Sequence, residues 1–284
     1  MPVETRRFDS LDAFLDVVGE FLEAREPEHM LTLGVAGEMR AQDETLQSGA
    51  LVAALARGRV VATALWRPPW NVVLSEIDQA GTIDALAEEL AHEALGGVHA
   101  PAEHAEAFAR AWCARTGAGF RPGMRQRSYA LEAVSRPNGV SGRLRGIHPE
   151  DRPILMDWMF GFDSEAMGSE AGRRDLDAFV DGLIAGRGRQ GFIWEDNGSP
   201  ASMCQAAGPT PHGIRIGAVY TPPELRRRGY ASALVAAVSQ AELDRGRRWC
   251  FLFTDLSNPT SNRIYQAIGY RPVRDVAMFH FDRR

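Results

Sequence analysis

Apolar positions in this chain switch between a period near 3.6 and a period of two, and the switches mark its elements. Leu11, Phe14, Leu15, Val18, Phe21 and Leu22 form a stripe behind Ser10, a good N-cap. They predict an amphipathic helix from Leu11 to about Arg25, with Thr5 to Phe8 a short strand before it. Glu26-Pro27 ends that helix, and His29 to Met39 is a second, less regular one. Leu51–Ala56, Val60–Trp66 and Asn71–Ser75 read as an antiparallel meander, turned at Arg57-Gly58 and broken at Pro68-Pro69. Helices over about Ile83–Leu95 and Ala102–Thr116 enclose a short strand, Gly97–Ala100, and Arg127–Val134 is a further strand.

Ser135 to Gly142 is polar and rich in turn residues, and then the order repeats. Arg143–Ile147 is strand-like, and Pro149 suits the first turn of a helix reaching Phe160. Leu176, Phe179, Val180, Leu183 and Ile184 mark another helix. Gly191–Glu195, Ser202–Ala207 and Ile214–Tyr220 form a second meander, turned at Asn197-Gly198 and over Gly208 to Gly213. A helix to about Asp244, the strand Trp249–Thr254, the helix Ser261–Ile268 with Gly269 as its C-cap, and the strand Val276–Phe281 complete the chain. Each half thus reads strand, two helices, three-strand meander, helix, strand, helix, strand, a duplication of pattern without obvious residue identity. The expected fold class is α/β, with two tandem domains at 1–136 and 143–284 and a linker at 137–142. Each domain is a mixed, mostly antiparallel sheet flanked by helices.

Composition narrows the function classes. With 284 residues, 45% hydrophobic and 24% charged, the chain can bury a sizeable core. A net charge of -5 argues against general nucleic-acid binding. No apolar run approaches the ~18 residues of a membrane span, and Met1 to Ser10 has no signal-peptide core, so a cytoplasmic protein is expected. Cys113, Cys204 and Cys250 are far apart and set among apolar neighbours, which predicts buried packing rather than a disulfide framework. The 32 basic residues are all arginine, which excludes a P-loop lysine and a Schiff-base lysine. There is no HExxH, no second ligand pair beside Glu89 and His92, and no Gly-x-Ser-x-Gly elbow, and no metal is expected.

One stretch carries chemistry: Val219-Tyr220-Thr221-Pro222-Pro223-Glu224-Leu225-Arg226-Arg227-Arg228-Gly229-Tyr230-Ala231. It joins a predicted strand to a predicted helix through a glycine loop. Free N–H groups at the helix start, the positive end of the helix dipole and three arginines make an anion site. The corresponding turn of the first half, Glu76-Ile77-Asp78-Gln79-Ala80-Gly81, has two acids and no arginine. If the second half binds phosphate there, the first is expected not to.

Residues from about Ile214 to Phe281 resemble the core of the GCN5-related N-acetyltransferases. The signature of that family, Gln/Arg-x-x-Gly-x-Gly/Ala, is matched by Arg226, Gly229 and Ala231. The resemblance implies that the amides of Arg227, Arg228, Gly229, Tyr230, Ala231 and Ser232 grip the pyrophosphate of an acyl-coenzyme A. It implies that Ala218, Val219 and Tyr220 pair with the pantetheine amides and that the Val219 N–H polarises the thioester carbonyl. Asn258-Pro259-Thr260-Ser261-Asn262-Arg263-Ile264-Tyr265 is similar to a second family segment, and Gly269-Tyr270 follows it as in the family. Asn258 and Ser261 would contact the cofactor, and Tyr265 would lie near its sulfur as general acid. Read without the family, Asn258 and Ser261 cap a helix and Tyr265 packs in the core.

The implied activity is direct transfer of an acetyl group from acetyl-CoA to an amine of a small-molecule or peptide acceptor. Tandem members with a degenerate N-terminal copy exist in the family, and this chain resembles them. The first domain would complete the acceptor cleft or stabilise the pair by docking. The base is left open among Glu195, Asp196, Asp157, Asp163 and Glu165, with Gln205 able to orient a water; Trp158, Phe160 and Phe162 are candidate pocket residues. The rival reading is a non-catalytic acyl-CoA-binding or regulatory protein that kept the loop.

Overall fold

The computed structural model describes residues 2–42, 48–167 and 173–282. The chain forms two compact units: residues 1–128, 255–257 and 273–284, and residues 129–254 and 258–272.

In the first unit, β1 (Glu4–Phe8) is followed by α1 (Leu11–Glu23) and α2 (Met30–Ala41). Ser10 caps α1, its side chain accepting from Ala13 N at 3.2 Å. Phe14, Val18 and Leu22 are the buried face of the α1 stripe. β2 (Ala50–Ala56), β3 (Arg59–Trp66) and β4 (Val72–Leu74) form the meander, followed by α3 (Thr82–Glu89), β5 (Gly97–Pro101), α4 (Ala102–Thr116) and β6 (Phe120–Leu131). α3 stops earlier than its apolar pattern suggests. β6 starts earlier than Arg127, at Phe120, and runs through Pro122 and Gly123. A Cβ at Gly123 would lie 2.6 Å from His280 Nε2, so the glycine admits a close neighbour.

The second unit begins with the end of β6. It continues with β7 (Arg143–Gly146), α5 (Arg152–Phe162), a π turn at Asp163–Met167, α6 (Arg173–Ile184), β8 (Arg189–Asp196), β9 (Ser199–Ala207) and β10 (Gly213–Tyr220). α7 (Tyr230–Asp244), β11 (Trp249–Asp255), α8 (Pro259–Ile268) and β12 (Arg271–Phe281) follow. The order read from the sequence is therefore present twice. Among the described strand pairs, only β4 beside β5 and β10 beside β11 run parallel. The repeat extends to backbone detail. Both meander turns use left-handed residue pairs, Arg57 (φ 54) with Gly58 (φ 72) and Asn197 (φ 49) with Gly198 (φ 77). α3 and α7 both start behind a left-handed glycine, Gly81 at φ 85 and Gly229 at φ 84.

Two features depart from the expected halves. The last strand does not stay with the half that precedes it. Residues 273–281 of β12 lie in the first unit and pair with β5, from Val276 opposite Pro101 to His280 opposite Gly97. Phe281 stacks on Trp112 of α4 with ring centroids 4.4 Å apart. Residues 137–142, although mostly exposed, are held at two points. Trp194 Nε1 donates to Ser141 O at 2.8 Å, and Val140 packs on the apolar cluster of the second unit. A polar composition hid both the valine and the backbone carbonyl that receives the indole.

The second unit has two apolar clusters, one on each face of its sheet. Val219 joins the cluster of α7 and α8, with Tyr265, Leu234 and Cys204. Ala218 and Tyr220 join the cluster of α5 and α6, with Trp158 and Met203. All three cysteines are free and buried, as their neighbours predict. Phe160, a candidate pocket residue, is 63% exposed, whereas Trp158 is 7% exposed and part of the core.

Candidate active site

β10 and β11 are paired only from Gly213 to Arg215 against Trp249 to Phe251. β10 nevertheless runs on to Tyr220 and β11 to Asp255, so the two parallel strands part beyond Arg215. A register shift against β9 falls between Gly217 and Tyr220, and Ala218 sits inside it at φ 49. Among the described residues four non-glycines have positive φ. Two belong to the hairpin turns; the other two are Ala218 and Arg227, at φ 64. Strain of ~1–3 kcal/mol per residue persists only where the surroundings impose it. Here it falls just before the loop singled out from the sequence, at Ala218, and within it, at Arg227.

That loop turns through a short 3-10 segment, Pro223–Leu225, and reaches Gly229 ahead of α7. No side chain caps α7, and its first backbone bond runs from Ala233 N to Gly229 O at 2.9 Å. Among the described residues the amides of Arg227 to Ser232 make no hydrogen bond. Six consecutive donors at the positive end of a 15-residue helix, beside a parted strand pair, form a cradle suited to a polyanion. Gly229 is required twice over. Its φ is left-handed, and a Cβ would lie 2.8 Å from Val140 Cγ2.

The side chains of the loop point to neighbouring elements. Arg226 Nη2 donates to Glu165 Oε2 at 2.7 Å, and Arg226 Nε to Thr221 O at 2.8 Å. Tyr230 is buried, and its hydroxyl donates to Asp196 Oδ2 at 2.6 Å. Only the amide of Tyr230 therefore remains for a ligand. That hydrogen bond is the main reason the Asp196 carboxyl lies below its ordinary range. Glu195 is also held low, first by Arg143 and then by Arg145. Both carboxylates are thus engaged by neighbouring side chains. Gln205 Oε1 is buried without a partner, on β9 opposite Gly217.

Asn258 caps α8, its Oδ1 accepting from Ser261 N at 3.0 Å, the structural role its sequence position predicts. Tyr265, one helical face further on, is 8% exposed. Burial, with Cys204 close by, pushes its phenol well above the ordinary value, so it stays protonated. Its hydroxyl makes no hydrogen bond to protein among the described residues. A network that sequence reasoning missed anchors α8. Asn262 Oδ1 accepts from Tyr129 Oη at 2.9 Å and from Thr254 Oγ1 at 2.5 Å, and Asn262 Nδ2 donates to Asn258 O at 2.7 Å. Asn262 stands inside the quoted segment, but nothing in the sequence links it to Tyr129, 133 residues away.

The corresponding turn of the first unit is chemically opposite. A shallow groove of about 720 Å³ lies beside the start of α3, lined by Asp78, Gly81, Asp84, His104, Arg110 and Arg115. Glu76 pairs with Arg25 and Arg274, and Asp78 with Arg25 at 3.0 Å. Among the described residues no cluster of His, Cys, Asp and Glu could hold a metal, and no helix is long and apolar enough to cross a membrane.

Comparison with known proteins agrees with this architecture. Residues 197–278 match the family described as FR47-like protein. A Drosophila protein of known structure aligns at a TM-score of 0.69 and 14% identity, covering 99% of each chain. A GCN5-related N-acetyltransferase from Sphaerobacter thermophilus aligns at 0.61 and 18% identity, covering 99% of this chain and 96% of its own. A tandem GNAT protein from the clavulanic acid biosynthesis pathway aligns at 0.54 and 15% identity, covering 99% of this chain and 98% of its own. No curated protein sequence matches. The chain thus has the α/β fold of the GCN5-related N-acetyltransferases. It carries that fold in tandem form, with the FR47-like match confined to its second half.

Proposed function

We propose that the second unit is an acyl-CoA-dependent N-acyltransferase, using acetyl-CoA and an amine acceptor, and that the first unit is a degenerate copy. The observation that carries this reading is the run of free amides from Arg227 to Ser232 beside the parted strands β10 and β11. The pyrophosphate would take those amides. The pantetheine would lie along Ala218, Val219 and Tyr220, with Asn258 and Ser261 on its other side. The thioester carbonyl would accept from the Val219 N–H.

Transfer is direct in this reading. The acceptor amine, once deprotonated, attacks the thioester carbon; the C–S bond breaks as the C–N bond forms. The proton of Tyr265 goes to the departing thiolate. Burial supports this role, since it keeps the phenol protonated until a stronger base appears beside it. In the first unit Asp78 stands where Arg226 stands in the second, three residues before the capping glycine, and would repel a phosphate.

Ala231→Glu tests the cradle. Ala231 is partly exposed in the first turn of α7, so a glutamate there folds and favours the helix dipole. It also sets a carboxylate against the bound pyrophosphate. Acetyl-CoA affinity measured by calorimetry should fall at least tenfold with no loss of stability; unchanged affinity would place the donor elsewhere. A screen of amines for thiol release from acetyl-CoA then identifies the acceptor. Binding without release for any amine would favour a regulatory acyl-CoA-binding protein.

A further inference from the structure

We propose that Glu165 and the donor's pyrophosphate compete for the Arg226 guanidinium, so that donor binding frees the Glu165 carboxylate on the turn Asp163–Met167 from the loop. The inference rests on reading the loop as a pyrophosphate cradle. Arg226 occupies the first position of the loop signature, yet its side chain is engaged elsewhere. Nη2 donates to Glu165 Oε2 at 2.7 Å, Nε to Thr221 O at 2.8 Å, and the guanidinium carbon lies 5.6 Å from the Tyr220 ring centroid. The other Glu165 oxygen accepts from Tyr220 Oη at 3.3 Å. One carboxylate, on the π turn after α5, thus joins the end of β10 to the donor loop.

The junction is shaped for this contact. The Tyr220 hydroxyl lies where a side chain at residue 161 would stand, 2.4 Å from the Cβ position, and residue 161 is glycine. Burial, followed by the Glu165 carboxylate, raises the Tyr220 phenol, so its proton stays available for the hydrogen bond. The ion pair itself is open to water, with side-chain exposures of 41% and 46%. Such a pair is weak. A pyrophosphate beside six free amides carries more charge and accepts in bidentate geometry, so it displaces a solvated carboxylate. Glu165 is then left on Tyr220 alone, and the π turn loses its tie to the loop. The same arginine reports donor occupancy to the turn that follows α5, a helix packed against the opposite face of the sheet from α7.

The test is a double-mutant cycle on coenzyme A affinity, read by calorimetry. Glu165→Gln removes the competitor and should tighten coenzyme A binding about two- to fivefold, the range open to an exposed pair. In an Arg226→Ala background the same substitution should change affinity less than about 1.5-fold. Unchanged or weaker binding by Glu165→Gln would overturn the proposal. An equal gain in both backgrounds would also overturn it, since that is a general charge effect. Failure of the wild-type chain to bind coenzyme A would instead overturn the reading of the loop, and this inference with it.

Discussion

Tyr265 and Tyr270 are two buried phenols with ring centroids 6.1 Å apart, and replacing each by phenylalanine should have opposite consequences. The Tyr270 hydroxyl bonds Ser239 Oγ at 2.8 Å, and both groups are fully enclosed. Tyr270→Phe loses that bond and strands a buried serine, a cost of about 1–2 kcal/mol. The Tyr265 hydroxyl bonds no protein group among the described residues. Tyr265→Phe keeps the ring and loses no internal bond, so its effect on stability should stay within about 0.5 kcal/mol. Activity should show the reverse. Loss of a general acid typically slows turnover by about 10²- to 10⁴-fold, whereas Tyr270→Phe should leave turnover within about threefold. Urea denaturation gives the first comparison, and thiol release with an accepted amine gives the second. A Tyr265→Phe protein as destabilised as Tyr270→Phe, or one with undiminished turnover, would refute the assignment.

Tyr129→Phe removes a donor to Asn262 and a weaker acceptor for Gln266 Nε2, and should cost about 1 kcal/mol in urea denaturation, because Asn262 keeps its bond from Thr254. Gly97→Ala should destabilise by more than 2 kcal/mol, since a Cβ would lie 2.3 Å from the Phe279 carbonyl oxygen across the β5–β12 pair; a near-neutral result would contradict the placement of β12. Asp151 accepts from both ends of the Arg145 guanidinium, at 2.7 and 2.8 Å, and that bonding holds its carboxyl below the ordinary 3.8. A folded-state pKa below the unfolded one stabilises above the unfolded value, and the gain is lost as pH falls through the folded one. The stability gap between wild type and Asp151→Asn should therefore be full at pH 6 and close below about pH 4; a gap independent of pH would contradict the pairing.

Much of the fold was legible because it rests on local rules. The α1 stripe, the Ser10 cap and the left-handed turns at Arg57-Gly58 and Asn197-Gly198 each announce themselves within a few residues. The loop was legible for the same reason, since a strand, a glycine and a helix start are neighbours in the chain. What escaped depends on partners distant in sequence. β12 reads as a strand, but nothing in its residues says that it pairs with β5, more than 170 positions earlier. Tyr129 reads as one more strand residue until Asn262 is beside it. Val140 looks like part of a linker until Gly229 is seen to need its space. Glu195 and Asp196 look like free acids until Arg143, Arg145 and Tyr230 are seen to occupy them.

The central claim is that the loop from Arg226 to Ser232 holds an acyl-CoA. Thermal unfolding of the full chain with and without acetyl-CoA tests it most directly. At about 100 times the dissociation constant, a ligand bound only to the folded state adds about 2.7 kcal/mol. The expected result is a rise in melting temperature that grows with acetyl-CoA concentration and is smaller in Ala231→Glu at every concentration. No rise with acetyl-CoA or with any longer acyl-CoA would contradict the account.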